Sequence, residues 1–111
     1  MSQVRERLFQ MQAEMCKILC NPRRLQLLQT LRDGEKSVSE LSAATGLRQA
    51  NVSQHLALMR HHKVVIERRL GNSVFYHISD GRINSACDLI QAVLLDQASE
   101  DSKLLRIARR G

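Results

Sequence analysis

Apolar residues follow helical spacing along most of the chain and shift to strand-like runs only once. They begin at Val4, Leu8, Met11, Met15 and Ile18, steps of four and three that draw one stripe down a first helix ending near Cys20. Asn21 then offers a capping oxygen, and Pro22 stands where a missing N–H does no harm, so a second helix starts there. Its inward residues are read as Leu25, Leu28 and Leu31, and Asp33-Gly34 as its stop. Ser37-Val38-Ser39-Glu40 has the form of a capping box, in which Ser and Glu each satisfy an orphaned backbone donor. It opens a short third helix, Val38 to about Thr45, which Gly46 ends.

A fourth helix over residues 49–61 places Val52, Leu56 and Met59 inward. At about 100° per residue its opposite face carries Ala50, Gln54, Ala57 and His61, flanked by Asn51, Ser53 and Arg60. Residues 64–70 and 74–78 read as two strands joined through Gly71-Asn72, a pair suited to a tight hairpin. After Ser79-Asp80, which can cap, a fifth helix runs to about residue 97 with Ile83, Cys87, Ile90 and Leu94 on one stripe, widened by Ala86 and Val93. The fold class is therefore mainly α with a small β-hairpin: a winged helix-turn-helix with five main helices.

Composition narrows the partner. The chain has 111 residues, the size of one domain, and the 1–111 span is read as a single winged helix-turn-helix unit. Within it, residues 1–20 and 80–98 are dimerisation helices, 37–78 the reading helices and wing, and 99–111 a basic tail. Lys and Arg number 17 against 11 Asp and Glu, a formal charge of +6, which favours polyanions. No run approaches the ~18 to 20 apolar residues of a spanning helix and no apolar signal core opens the chain, so nucleic acid is expected rather than membrane. Three cysteines, an odd number, suggest free thiols in a reducing compartment, hence a cytoplasmic protein.

Two short helices joined by a glycine-containing turn, the second with a small and polar outer face, are what entry into a DNA groove requires. Ala50 and Ala57 let the helix axis approach base edges, while Asn51, Ser53 and Gln54 supply donors and acceptors. Arg60, Lys63, Arg68 and Arg69 carry charge suited to phosphates. Asn72 stands at the hairpin tip, placed for the adjacent minor groove.

The segment Gly46-Leu47-Arg48-Gln49-Ala50-Asn51-Val52-Ser53-Gln54-His55-Leu56, with Arg60, the Val64 strand and Val74-Phe75-Tyr76, closely resembles the ArsR/SmtB family of winged-helix repressors. The Asn21-Pro22-Arg23-Arg24-Leu25 opening of the second helix does so too. The resemblance covers most of the chain and implies a dimer that represses by occupying an operator and releases it when an inducer binds. It assigns reader contacts to Gln49, Asn51, Ser53, Gln54 and His55, and wing contacts to the Arg68 to Asn72 region. Arg48 departs from the family's capping serine or threonine; it weakens the cap and adds a cation for phosphate. The candidate DNA-binding set is thus Ser37, Arg48, Gln49, Asn51, Ser53, Gln54, His55, Arg60, Arg68, Arg69 and Asn72. His55 has a second reading as a structural histidine beside core Leu56.

The stripes on the first and last helices exceed what a small core covers, so a homodimer through those helices is expected. Two readers then meet double-stranded operator DNA about 10 base pairs apart or a multiple of that. Residues 101–111 hold Lys103, Leu104, Leu105, Arg106, Ile107, Arg109 and Arg110, a basic amphipathic stretch read as a partly frayed helical end with solvated charges, with an extension of the dimer surface or a phosphate contact as the alternative.

Cys16 and Cys20, four apart, share one face of the first helix, and Cys87 lies on the fifth. Converging thiols would suit a thiophilic ion such as arsenite, or persulfide and disulfide chemistry with reactive sulfur or oxidants. The competing reading makes all three small core hydrophobes. The third helix has no cysteine and the fifth no histidine, so the family's usual metal positions are not filled and no certain metal or cofactor is expected. No phosphate loop, nucleophile elbow or paired-carboxylate site is present, which sets an enzyme aside. The remaining rivals are a regulator without thiol sensing and a winged helix that binds protein. The latter needs exposed apolar anchors on the fourth helix, for which Leu58 is the one sizeable candidate.

Overall fold

The computed structural model describes the backbone of residues 2–100 and 102–110, with side chains over 2–99 and 106–110. The elements are α1 (Ser2–Leu19), α2 (Pro22–Thr30), a 3-10 turn (Leu31–Asp33), α3 (Val38–Thr45), α4 (Gln49–His61), β1 (Val65–Leu70), β2 (Ser73–Ile78), α5 (Gly81–Gln97), a 3-10 turn (Ala98–Glu100) and α6 (Ser102–Arg110). Contacts group them into two compact units, Met1–Ser79 and Asp80–Gly111.

The first unit holds the winged helix-turn-helix. Asn21 caps α2 by accepting from the backbone N–H of Arg23 and Arg24, with Pro22 in the first turn. Ser37 and Glu40 form the capping box of α3. Gly46 ends α3 at φ 77°, a left-handed conformation that a Cβ disfavours. The turn that follows is pinned by Ser42 Oγ donating to the Leu47 carbonyl and by the Leu47 N–H donating to Thr45 Oγ1. At the far end of α4 the Val64 N–H reaches the Met59 carbonyl (2.8 Å) and the Lys63 N–H that of Arg60 (3.0 Å). This is a Schellman closure whose left-handed residue is Lys63, at φ 61°, rather than glycine.

The hairpin pairs β1 with β2 in antiparallel register from Val65↔Ile78 to Leu70↔Ser73. Its two-residue loop has positive φ at Gly71 and not at Asn72, the pattern of a type II′ turn. Lys36 adds one bridge to Tyr76, exchanging N–H···O bonds of 3.0 and 2.9 Å and tying the α2–α3 loop to the wing.

The core lies among α2, α3, α4 and the start of β1. Leu27, Leu41, Val52, Leu56, Met59, Val64 and Val65 are fully buried, with Leu28, Leu31 and Ile18 nearly so. Truncating such a leucine costs about 2 to 5 kcal/mol. One expectation is corrected here: Leu25 is 39% exposed and Leu27 takes the inward place. The inward stripe of α2 runs Arg24, Leu27, Leu28, Leu31, steps of three, one and three on one face. A charged residue at its first turn hid that stripe from a search for apolar spacing.

The apolar stripe of α1 is open to solvent except at Ile18, with Val4 72% and Leu8 55% exposed. In the second unit Asp80 caps α5, and no residue of α5 is buried; Ile90, Val93 and Leu94 all exceed half exposure. The last residues form a sixth helix, α6, one more than the five expected. Lys103, Leu104 and Leu105 of its predicted stripe lie outside the described side chains. No helix among the described residues is long and apolar enough to cross a membrane.

Candidate nucleic-acid interface

α4 divides cleanly into two faces. Val52, Leu56 and Met59 are fully buried, which fixes the rotation of the helix and turns Gln49, Ala50, Asn51, Ser53, Gln54, Ala57, Arg60 and His61 to solvent. Exposed polar and small residues therefore share one face of a helix whose other face is anchored. Arg48 is the N-cap of α4, exposed, and makes no side-chain capping bond. The first N–H groups of α4 consequently remain available beside a cation, an arrangement suited to a phosphate oxygen. Leu58 is not an outward anchor: it is half-buried and lines a groove with Glu14, Lys17, Ile18, Cys20, Arg24 and His62.

Two expected contacts are engaged elsewhere. Ser37 serves as the cap of α3. His55 is half-buried, and its Nδ1 accepts from Arg24 Nε at 3.3 Å. Burial, with the Arg24 charge beside it, holds the His55 pKa below the ordinary histidine value. The ring is bonded to Arg24 of α2, which supports the reading of His55 as a structural histidine.

The wing presents Arg68, Arg69 and Asn72 exposed, but its cations are not bare. Arg68 makes a bidentate pair with Glu35, including Nε–Oε2 at 3.0 Å. The bond from Arg68 holds Glu35 below the usual carboxylate range and raises the arginine in turn. Glu67, half-buried, lies 3.4 Å from Arg60 and 3.7 Å from Arg69. It also accepts from the Tyr76 hydroxyl at 3.5 Å; burial first and the Glu67 charge second push the Tyr76 pKa up. Sequence reading missed Glu35, Lys36, Glu67 and Arg24. Only Glu67 carried a signal, as an acid directly before two consecutive arginines on a strand.

Cys16 on α1 and Cys20, which lies just beyond its end rather than on it, are exposed, and Cys87 is half-buried on α5. Among the described residues no three His, Cys, Asp or Glu side chains are grouped to hold a metal ion.

Residues 21–65 match the model of the bacterial regulatory protein arsR family. Over 107 residues the chain is 35% identical to an uncharacterized HTH-type transcriptional regulator of Mycobacterium tuberculosis, Rv0081, covering 96% of this chain and 94% of that one. The crystal structure of Rv0081 superposes with a TM-score of 0.75 at 34% identity, over 84% of this chain and 94% of that one. The transcriptional activator HlyU of Vibrio cholerae is 40% identical over 74 residues, 67% of this chain and 68% of its own. The solution structure of Mb0332 from Mycobacterium bovis, a homodimeric winged helix-turn-helix DNA-binding domain, superposes with a TM-score of 0.78 at 29% identity, over 86% of this chain and 89% of that one. With near full-length identity of this order, the same winged helix-turn-helix and α4 inside the matched segment, the chain belongs to the arsR family of bacterial regulatory proteins.

Proposed function

We propose that this chain is a cytoplasmic, dimeric, sequence-specific DNA-binding repressor that presents α4 to the major groove and the β1–β2 wing to the neighbouring backbone and minor groove. The observation that carries the proposal is the two-faced α4, with three fully buried residues behind and exposed Gln49, Asn51, Ser53 and Gln54 in front. Asn and Gln pair bidentately with adenine, and the small Ala50 and Ala57 let the axis come close. Arg48, Arg60, Arg68 and Arg69 then meet phosphates, and Ser37 stands at the N-terminus of α3 on the scaffold side. The half-buried position of Leu58 counts against a protein-binding use of this face.

Dimerisation through α1 and α5 gives their exposed stripes a cover, and Mb0332 is a homodimer of the same fold. Inducer release is assigned to thiol chemistry at Cys16 and Cys20, which are accessible, with Cys87 as third candidate. Arsenite, reactive sulfur and oxidants are the classes that fit.

Anisotropy with the duplex upstream of the chain's own gene, read across a salt series, tests the DNA reading. Gln54→Ala should change sequence preference, whereas Arg69→Ala should lower affinity uniformly and flatten the salt slope by about one unit. Retention of preference by the Gln54 variant removes that residue from the reader set. Repeating the assay with arsenite, polysulfide or peroxide, and with each cysteine changed to serine, tests the inducer; release that survives loss of all three thiols removes it. Since HlyU is named an activator, transcription in vitro from the bound promoter fixes the direction of regulation, with lower output expected.

A further inference from the structure

One guanidinium joins three helices. Arg24 sits at the first turn of α2 on the inward face that continues through Leu27 and Leu28. Its Nη1 donates to the Ile18 carbonyl at 2.8 Å and its Nε to His55 Nδ1 at 3.3 Å. The Ile18 carbonyl belongs to the last turn of α1, where carbonyls lack a helical donor and a cation is favourably placed. His55 lies midway along α4, between outward Gln54 and fully buried Leu56. The planar fork thus holds the end of α1 and the middle of the reader helix from one side chain.

We propose that Arg24 and His55 are positioning residues for DNA recognition, Arg24 fixing α4 to the last turn of α1 through an imidazole that accepts only while it is neutral. The proposal rests on α4 being the element that enters the groove. An imidazole accepting at Nδ1 carries its proton on Nε2. A second proton turns Nδ1 from acceptor to donor and sets a cation against the guanidinium, so the bond opens. Burial, then Arg24, makes the folded state bind that proton less readily than the unfolded chain does. The contribution of the tie is therefore complete above the ordinary histidine pKa and is lost as pH falls through the lower native value. Arg24 is the charged group facing the ring. The groove alongside Arg24 adds Glu14 and Lys17 from α1, Cys20 from the turn after it and His62 from the cap that follows α4.

The sign separates this role from a direct contact. A histidine against phosphate strengthens DNA binding when it takes a proton; a histidine that must stay neutral to hold the reader weakens it.

The test is anisotropy of the full chain on a duplex selected by the wild type from a random-sequence pool. It is run at constant ionic strength from about pH 8 to about pH 5.5, the range over which histidine titrates. His55→Asn places an Oδ1 acceptor near the Nδ1 position without a titrating group. Its affinity, whatever its level at the alkaline end, should lack the acid weakening of the wild type, which approaches roughly tenfold as the imidazole becomes fully protonated and one charge-assisted hydrogen bond is lost. Arg24→Lys, whose ammonium is a point donor rather than a fork, should weaken binding about tenfold at the alkaline end, the gap narrowing in acid as the wild type loses the same tie, with an unchanged salt slope, since no phosphate contact is removed. Melting curves at the alkaline end confirm that each variant is folded, and the Asn variant keeps the test open should the Lys variant fail to fold. Binding by the wild type that holds or tightens in acid in parallel with His55→Asn overturns the proposal, as does a salt slope flattened by about one unit in Arg24→Lys. No binding by the wild type even at the alkaline end removes the DNA reading, and the proposal with it.

Discussion

Glu67→Gln probes how the wing delivers its positive charge. In the free protein this carboxylate lies 3.4 Å from Arg60 and 3.7 Å from Arg69, whose side chains are 54% and 75% exposed. Exposed pairs of this kind contribute only about 0 to 1 kcal/mol to folding, so the variant should fold normally. Its effect belongs to DNA binding. A carboxylate about 6 Å from a phosphate repels it by roughly 0.7 kcal/mol in a water-like dielectric, which is about threefold in affinity. If Glu67 also keeps one of the two arginines from its phosphate, removing the charge adds about 0.9 to the steepness of the log–log salt dependence, an extra ~3.5-fold loss across a fourfold rise in salt. The expected signature is tighter binding at low salt and a steeper slope, measured by anisotropy on an operator duplex. Glu6→Gln, an exposed carboxylate on α1, raises the net charge by the same amount and serves as the control. Equal behaviour of the two variants would show that only total charge matters and would refute the reasoning from these ion pairs.

Three further outcomes follow from the same geometry. Ser37→Ala removes the side chain that accepts from the Glu40 N–H and should lower stability in urea by about 1 kcal/mol. Lys63→Gly relieves a left-handed residue at φ 61°; against the greater freedom of glycine in the unfolded chain, the net should be stabilisation of up to about 1 kcal/mol, read as a rise in Tm. Asp80 is bonded by the Arg82 side chain and backbone N–H, which lower its pKa from 3.8 to about 2. Its charged form therefore stabilises the fold above the ordinary value, and that contribution is lost as pH falls towards the native one. Asp80→Asn, which keeps a capping oxygen, should melt below the wild type near neutral pH, with the difference closing between about pH 4 and about pH 2; a gap that persists in acid would assign the effect to the cap rather than the charge.

The sequence by itself determined the elements and the outward face of α4. Caps, turn glycines and apolar spacing are local signals, so Asn21, the Ser37–Glu40 box, Gly46 and the Gly71-Asn72 loop placed the boundaries of α2, α3, α4 and the hairpin. The stripe Val52, Leu56, Met59 fixed which face of α4 looks outward. Periodicity failed where a charged residue occupies an inward position, and Arg24 is that residue: its bonds to Ile18 and His55 span six and 31 residues of sequence. The pairing of Arg68 with Glu35, 33 residues away, was hidden for the same reason. A hydrogen bond or ion pair between distant residues depends on where two backbones meet, which no local period encodes. Tertiary structure alone therefore decided that His55 is bonded to Arg24 of α2, and that Arg68 and Arg69 of the wing are partnered by Glu35 and Glu67.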